Sequence, residues 1–247
     1  MLFSRIASWL GLIRSLLIYW RPGRQKGLRE FYAPLLSPGD LVFDVGSHLG
    51  DRSLAFASLG AEVISMEPQP LINLWLRKLV GSHPKILIRQ EAVGGSSGTN
   101  ELSISHWTPT VSTISGPWKD RIVDVNPTFS KVRWDRRVEV DVVSLDDLIG
   151  LYGIPAYCKI DTEGSEIEVL RGLSHGIGLI SFEFIYGNLE ATISCIELLE
   201  ELDDYEFNMV IGENRQFVFH AWIDKNVLID HLSIDKSSSG DLYARLV

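Results

Sequence analysis

The sequence predicts an α/β fold: a mainly parallel sheet with helices on both faces. Three observations predict it. From Leu41 onward, short β-rich apolar runs alternate with helical stretches in the order β-α-β-α-β, which calls for right-handed crossovers and a sheet covered on both sides. The chain has 247 residues, 45% hydrophobic and 22% charged, a globular composition that excludes disordered, collagenous and coiled-coil classes. Gly46 and Gly50 directly follow the first run, and the carboxyl end of a strand is where such a sheet binds its ligand.

The formal net charge is −9, so the surface repels polyanions and no nucleic-acid partner is expected. The two cysteines, Cys158 and Cys195, make no disulfide framework or zinc motif, which fits a reducing, cytoplasmic compartment. The charge is uneven: Arg5, Arg14, Arg21, Arg24, Lys26 and Arg29 face only Glu30 within residues 1–30.

Within that basic segment, Leu2, Phe3, Ile6, Trp9, Leu10, Ile13, Leu16, Leu17 and Trp20 recur with helical spacing and form one apolar stripe. Arg5 and Arg14 interrupt the run short of the ~20 residues a membrane span needs. Residues 1–35 are therefore expected to be a helical segment of one of two kinds. Either the stripe packs on the main domain as a lid, or residues 1–20 make a peripheral contact with a membrane surface. Arg21-Pro22-Gly23-Arg24 ends the helix in both cases.

Residues 36–247 read as a single domain. Leu41–Val45 and Glu62–Met66 are buried strands with a helix around 53–58 between them; a helix around 74–80 leads to a third strand at 86–88. The stretch 94–136, rich in Ser, Thr, Pro, Gly and Trp, is expected to be an insertion facing the substrate. An alternating strand follows at 138–142, and Ser144 caps the helix opened by Leu145-Asp146-Asp147. Next come a strand at 156–160, a helix at 166–173, a strand at 179–184 and a helix at 191–202. Three β-rich runs close the chain at 205–211, 216–222 and 242–247. Gly212-Glu213-Asn214-Arg215 predicts a hairpin between the first two of these.

Four places can carry chemistry. Asp44-Val45-Gly46-Ser47-His48-Leu49-Gly50-Asp51 lies between a strand and a helix, and Gly46 permits a tight turn and close ligand approach. His48 stands where a dinucleotide fingerprint would have its middle glycine, which disfavours a nicotinamide reading. Glu67, at the end of the next strand, can accept the ribose hydroxyls of a nucleoside, or be a helix-capping acid ahead of Pro68. Gln90-Glu91-Ala92-Val93 follows the third strand. Lys159-Ile160-Asp161-Thr162-Glu163-Gly164 delivers acids to a strand tip, where buried carboxylates have to be paired or used. By the strand's period of two, Lys159 and Asp161 share a face and can pair. Glu183, in Ser181-Phe182-Glu183-Phe184, is either another cleft acid or an ion-pair partner, and His106, Trp107 and Trp118 could form a stacking surface for a sugar.

Phe43-Asp44-Val45-Gly46, Gly50-Asp51, Met66-Glu67-Pro68, Glu91-Ala92-Val93-Gly94, Ser144-Leu145-Asp146-Asp147 and Lys159-Ile160-Asp161-x-Glu163-Gly164-x-Glu166 occur in an order and spacing that resemble the FkbM family of S-adenosylmethionine-dependent methyltransferases. The resemblance covers about residues 36–187, with a similar tail at 205–208 and 240–245. It implies a Rossmann-like seven-stranded sheet with an antiparallel last hairpin, and methyl transfer to a hydroxyl of a sugar, glycolipid or related metabolite. By this resemblance Asp44, Gly46, Ser47, His48 and Gly50 line the methionine and ribose part of S-adenosylmethionine, Glu67 holds the ribose, and Glu91 with Ala92 borders the adenine. A general base must take the hydroxyl proton: Asp161 is the first candidate by geometry, Glu163 and His106 the next. Asp161 could equally bind the cofactor amine or anchor its loop. No metal ligands are assigned, because no ligand spacing demands one, although carboxylates such as Asp161, Glu163 and Glu183 would suit magnesium. The competing expectation is a noncatalytic module of the same fold that binds a membrane surface or a protein partner through its N-terminal helix.

Overall fold

The structure, a computed structural model, describes residues 2–185, 188–234 and 239–247. Positions 186 and 187, which end the resembling stretch, lie outside it, as do the side chains of Leu2, Phe3 and Ile6.

Seven strands form the central sheet: β1 (Leu41–Val45), β2 (Glu62–Met66), β3 (Ile86–Arg89), β7 (Tyr157–Ile160), β8 (Leu179–Phe184), β9 (Tyr205–Ile211) and β10 (Gly240–Leu246). Their order is β3-β2-β1-β7-β8-β10-β9. The first five run parallel, and β10 is antiparallel to both neighbours, as the resemblance implies. The strands read as near-continuous apolar runs because helices cover both faces. On one face Phe43, Val45, Met66, Ile160 and Phe182 pack into a core with α6 (Leu145–Tyr152), α7 (Glu166–Arg171), α8 (Leu189–Leu202) and α9 (Lys225–Ile234). On the other, Val42, Val63, Tyr157 and Tyr243 meet α2 (Arg24–Tyr32), α3 (Asp51–Ser58) and α4 (Pro70–Val80).

Alternation sorts the polar residues too. Tyr157 shares its strand face with Lys159, and the Tyr157 hydroxyl lies 2.7 Å from Ser181 Oγ, which fixes Ser181 and Glu183 on that same side. Asp44 opposes Lys159, and Asp241 opposes Glu183. The chain changes direction across the sheet between β1 and β7, and ligands bind outside such a switch point.

Residues 94–136 are more ordered than the sequence suggests. β5 (Gly98–Ile104) pairs with β6 (Arg136–Val143), which also pairs with β4 (Ala92–Val93) in a small second sheet, and α5 (Gly116–Val125) follows. The first four residues of β5 are all exposed, so the strand lacks the alternation that would reveal it. Ser144 and Asp147 form the expected cap, a reciprocal capping box.

One expectation is corrected: residues 216–222 do not form a hairpin strand with β9, whose other edge pairs with β10. The segment runs beside β9 with few ladder bonds, because the Asn208 side chain claims its backbone: Nδ2 donates to Phe219 O at 2.9 Å and Oδ1 accepts from Phe219 N at 3.2 Å. The N-terminal helix α1 (Leu2–Tyr19) is helical as expected, and its apolar stripe divides: Leu16, with Trp20 just past the helix, packs with Leu12 on Leu49 and Ile72, while Trp9, Leu10, Ile13 and Leu17 point outward. The tightest approach is at Gly11, where a Cβ would lie 2.8 Å from both His106 O and Pro109 Cδ, so only glycine fits that position.

Candidate active site

A cleft of about 870 Å³ runs along the carboxyl ends of β1, β2 and β7 and is roofed by Tyr19 of α1 and by residues 109–114. It is lined by Asp44, Gly46, Ser47, His48, Glu67, Glu91, Ala92, Asp161 and Glu163, so it brings together all the residues given a cofactor or catalytic role from sequence except Gly50 and His106. Gly50 lies behind the wall. His106 is not among the residues that border the cleft; its Nδ1 is 2.5 Å from Asp135 Oδ1.

The loop after β1 is strapped to the end of β2. The N–H groups of Gly46 and Ser47 both donate to Met66 O, at 3.0 and 2.9 Å, and His48 N donates to Glu67 Oε2 at 3.0 Å. Gly46 has φ +77°, and a Cβ there would sit 1.8 Å from Asp161 O. The glycine thus serves contact between two strand-end loops, where the sequence suggested close approach of a ligand. Gly50 similarly lets α3 meet α4, its missing Cβ being 2.5 Å from Leu76 Cδ1.

Asp44 is buried and accepts from Ser53 Oγ at 2.5 Å; burial pushes its carboxyl up to about 6. Glu67 is also buried, its two oxygens accepting from His48 N and, at 2.8 Å, Gln69 N, and burial pushes it up to about 8. His48 adopts φ +49°. Burial lowers its imidazole to about 4, so the ring is neutral, and neither ring nitrogen has a hydrogen-bond partner. Its ring meets Tyr19 edge-on, centroids 4.9 Å apart. Glu91 is held ionised by its bond to Arg89, and Ala92 is a buried part of the wall.

At the tips of β7 and β8, Asp161, Glu163 and Glu183 each offer a carboxylate oxygen, all within 4.8 Å of one another. Like charges this close do not all ionise. Burial acts to raise Asp161, but Lys159 and then Arg52 outweigh it and hold the carboxyl below its ordinary value. The expected Lys159–Asp161 pair is present, Nζ to Oδ2 2.7 Å. Burial, reinforced by the neighbouring carboxylates, drives Glu163 and Glu183 well above theirs. Glu183 Oε2 is shut from solvent with no hydrogen-bond partner. The result is one carboxyl biased towards its ionised form beside two biased towards the protonated form; among the described residues this is also the one trio placed to share a divalent cation.

The turn carrying these acids is clamped. Glu166 Oε1 accepts from Thr162 N, Thr162 Oγ1 and Gly164 N at 3.0, 3.0 and 3.2 Å, which accounts for the last acid of the motif. A Cβ on Gly164 would lie 2.1 Å from the Trp118 ring. Trp118 is therefore a buried cover packed with Phe129 and Trp134, not a sugar-stacking face, whereas Trp107 is exposed.

The match to a family model decides the assignment: the methyltransferase FkbM domain fits residues 44–219. The chain belongs to the FkbM methyltransferase family. A 31-O-demethyl-FK506 methyltransferase, FkbM, of Streptomyces tacrolimicus is 31% identical over 162 residues, covering 56% of this chain and 61% of that protein. The hexuronic acid methyltransferase AglP of Haloferax volcanii is 25% identical over 171 residues, covering 67% of this chain and 64% of AglP. The matched stretch thus spans about three-fifths of these relatives' length. Among solved structures, a precorrin-6y C5,15-methyltransferase from Geobacter metallireducens superposes with a TM-score of 0.47 at 12% identity, covering 91% of this chain and 87% of that one.

FkbM methyltransferases draw their methyl group from S-adenosylmethionine, and the cleft fits it. The unpartnered His48 nitrogens call for a polar ligand group, Glu67 has lone pairs beyond its two backbone bonds, and Ala92 adds an apolar stretch of wall.

Sequence reasoning missed Tyr19, Arg24, Arg52, Glu213 and Asp241. Arg24 is buried, its Nε 2.5 Å from Asp51 Oδ2 and its Nη1 2.9 Å from Glu213 Oε2. Arg52 lies 3.6 Å from Asp241, which is in turn 3.6 Å from Lys159 Nζ. Asp241 belongs to the tail that resembles the family, the one signal that could have found it. The pairs of Arg24 with Glu213 span 189 residues and have no local signature.

Proposed function

We propose that the protein is an O-methyltransferase that moves the methyl group of S-adenosylmethionine to a hydroxyl of a sugar, glycolipid or related metabolite. The observation that carries this reading is the shared cleft: Gly46, Ser47, His48 and Glu67 line it, and Asp161, paired with Lys159, borders the same space. Bound S-adenosylmethionine supplies an electrophilic methyl carbon and retains the S–C bonding pair as S-adenosylhomocysteine. The chain's part is to hold the acceptor oxygen in line with that carbon, a positioning effect that supplies much of the rate. Asp161 receives the hydroxyl proton as the new O–C bond forms. Lys159 and Arg52 favour the ionised form of Asp161, while burial and the neighbouring acids favour the protonated forms of Glu163 and Glu183. The acceptor side is supported by the names of the two relatives, one acting on a demethylated FK506 and one on hexuronic acid, and by hydroxyl-bearing Thr110 and Ser112 at the cleft wall.

The test is incubation with S-adenosylmethionine and a panel of free sugars, hexuronic acids, glycolipids and polyketide alcohols, read by mass spectrometry. The reading expects one acceptor class to gain a CH₂ increment, with loss of turnover in Asp161→Asn. Cofactor binding without transfer to any class would overturn it in favour of the noncatalytic module.

A further inference from the structure

The N-terminal helix presents an unusual surface. Its inner side is held through Gly11, Leu12, Ser15 and Leu16, and other apolar residues of the helix are left facing outward: Leu17 is 71% exposed and Trp9 51%, with Leu10 and Ile13 similarly open. The patch continues onto α4. Trp9 meets Trp75 edge-to-face at 5.8 Å, Lys78 Nζ lies 4.8 Å over the Trp75 ring, and Leu74 is exposed beside them.

Charge says what such a face can meet. Neither α1 nor α4 contains an Asp or Glu, although the chain holds 32, and Arg14, Arg77 and Lys78 are exposed on them. A contiguous apolar patch on a soluble fold marks an interaction site. Pairing with a second copy would set these cations against each other. Aromatic rings, aliphatic side chains and a snorkelling lysine on an acid-free face are instead the chemistry of the lipid interface.

We propose that the α1–α4 face docks the protein on an anionic lipid surface. No described helix is long and apolar enough to cross a membrane, so the contact is peripheral. The geometry also leads inward. Arg14 and Ile18 line a second cleft with Trp107 and Thr110, and Tyr19 and Thr110 border both that cleft and the cofactor cleft. On the function proposed above, an acceptor hydroxyl carried on a lipid headgroup would enter along this path; docking itself does not depend on that reading.

The experiment is flotation of the full chain with vesicles of phosphatidylcholine alone and of phosphatidylcholine with phosphatidylglycerol. Docking predicts binding to the anionic vesicles alone, weakened by salt. Ile13→Glu/Leu17→Glu should cut partitioning at least about tenfold, and Arg14→Gln/Lys78→Gln by a similar factor. Calorimetry with S-adenosylhomocysteine should be unchanged in the Ile13/Leu17 variant, which keeps loss of docking distinct from loss of the cofactor site; should that variant fail to fold, the Arg14/Lys78 pair decides. Three results would overturn the proposal. They are no binding to anionic vesicles, equal binding to both vesicle types, or a wild-type dimer in sedimentation velocity that Ile13→Glu/Leu17→Glu dissolves without any vesicle binding.

Discussion

Replacing Lys159 by methionine removes one charge from the centre of the site while keeping the length of the side chain. Lys159 is 1% exposed, with its ammonium 2.7 Å from Asp161 and 3.6 Å from Asp241. Removing one partner of a buried pair costs about 3–5 kcal/mol, because the other charge is left without compensation. Asp241 retains Arg52 at 3.6 Å, so the expected loss is at the lower end, about 3 kcal/mol. The pH dependence follows from the sign. In the wild type Asp161 is held below its ordinary value despite its burial, so its contribution is present above the unfolded value of about 3.9 and is lost as pH falls through the folded one. Without Lys159, burial prevails and raises the carboxyl, so ionised Asp161 becomes a liability at neutral pH. The stability gap between the two proteins should therefore be widest near pH 7 and should narrow as pH falls. Urea unfolding followed by tryptophan fluorescence measures it. Asp161→Asn in the Lys159→Met background should recover part of the loss. A gap under about 1 kcal/mol that does not vary with pH, or a double variant no more stable than the single, would refute the reasoning.

Three further outcomes follow from the same geometry. Burial pushes Glu67 up to about 8, so its stabilising contribution is full below the unfolded value of about 4.3 and is lost as pH rises towards 8; thermal melts of cofactor-free Glu67→Gln should lack that slope, and its affinity for S-adenosylhomocysteine should fall at least about tenfold. Gly46→Ala combines a left-handed backbone with a Cβ 1.8 Å from Asp161 O, and should cost clearly more than the ~1–2 kcal/mol of the backbone alone; Gly39→Ala, at φ +93° with nothing within 4 Å, should show only that smaller cost in the same denaturation assay. Trp118→Ala should destabilise by about 3–5 kcal/mol and broaden the amide resonances of the 161–164 turn in NMR spectra.

Much of this was legible in the sequence because it is local. Strands β1, β2, β8 and β9 carry short, mostly apolar β-rich runs and begin and end where the pattern places them. The Lys159–Asp161 pair follows from the strand's two-residue period alone. What was illegible depends on partners distant in the chain. Nothing near Gly11 tells that residues 106–109 will press on it and so decide which part of the apolar stripe faces outward. The Asn208 amide replaces ladder bonds that a pattern of alternation would assume. Arg24 and Arg52 reach the site only because Glu213 and Asp241 are brought beside them by the fold. Trp118, an aromatic in a polar insertion, has the same local appearance as exposed Trp107, and only the Gly164 surface distinguishes them.

Isothermal calorimetry of the full chain with S-adenosylhomocysteine tests the central claim most directly. The account predicts saturable one-to-one binding that Glu67→Ala weakens strongly, with no comparable heat from NADH. No detectable binding by protein whose circular dichroism and cooperative melting show it folded would contradict the assignment of this cleft to the methyl donor.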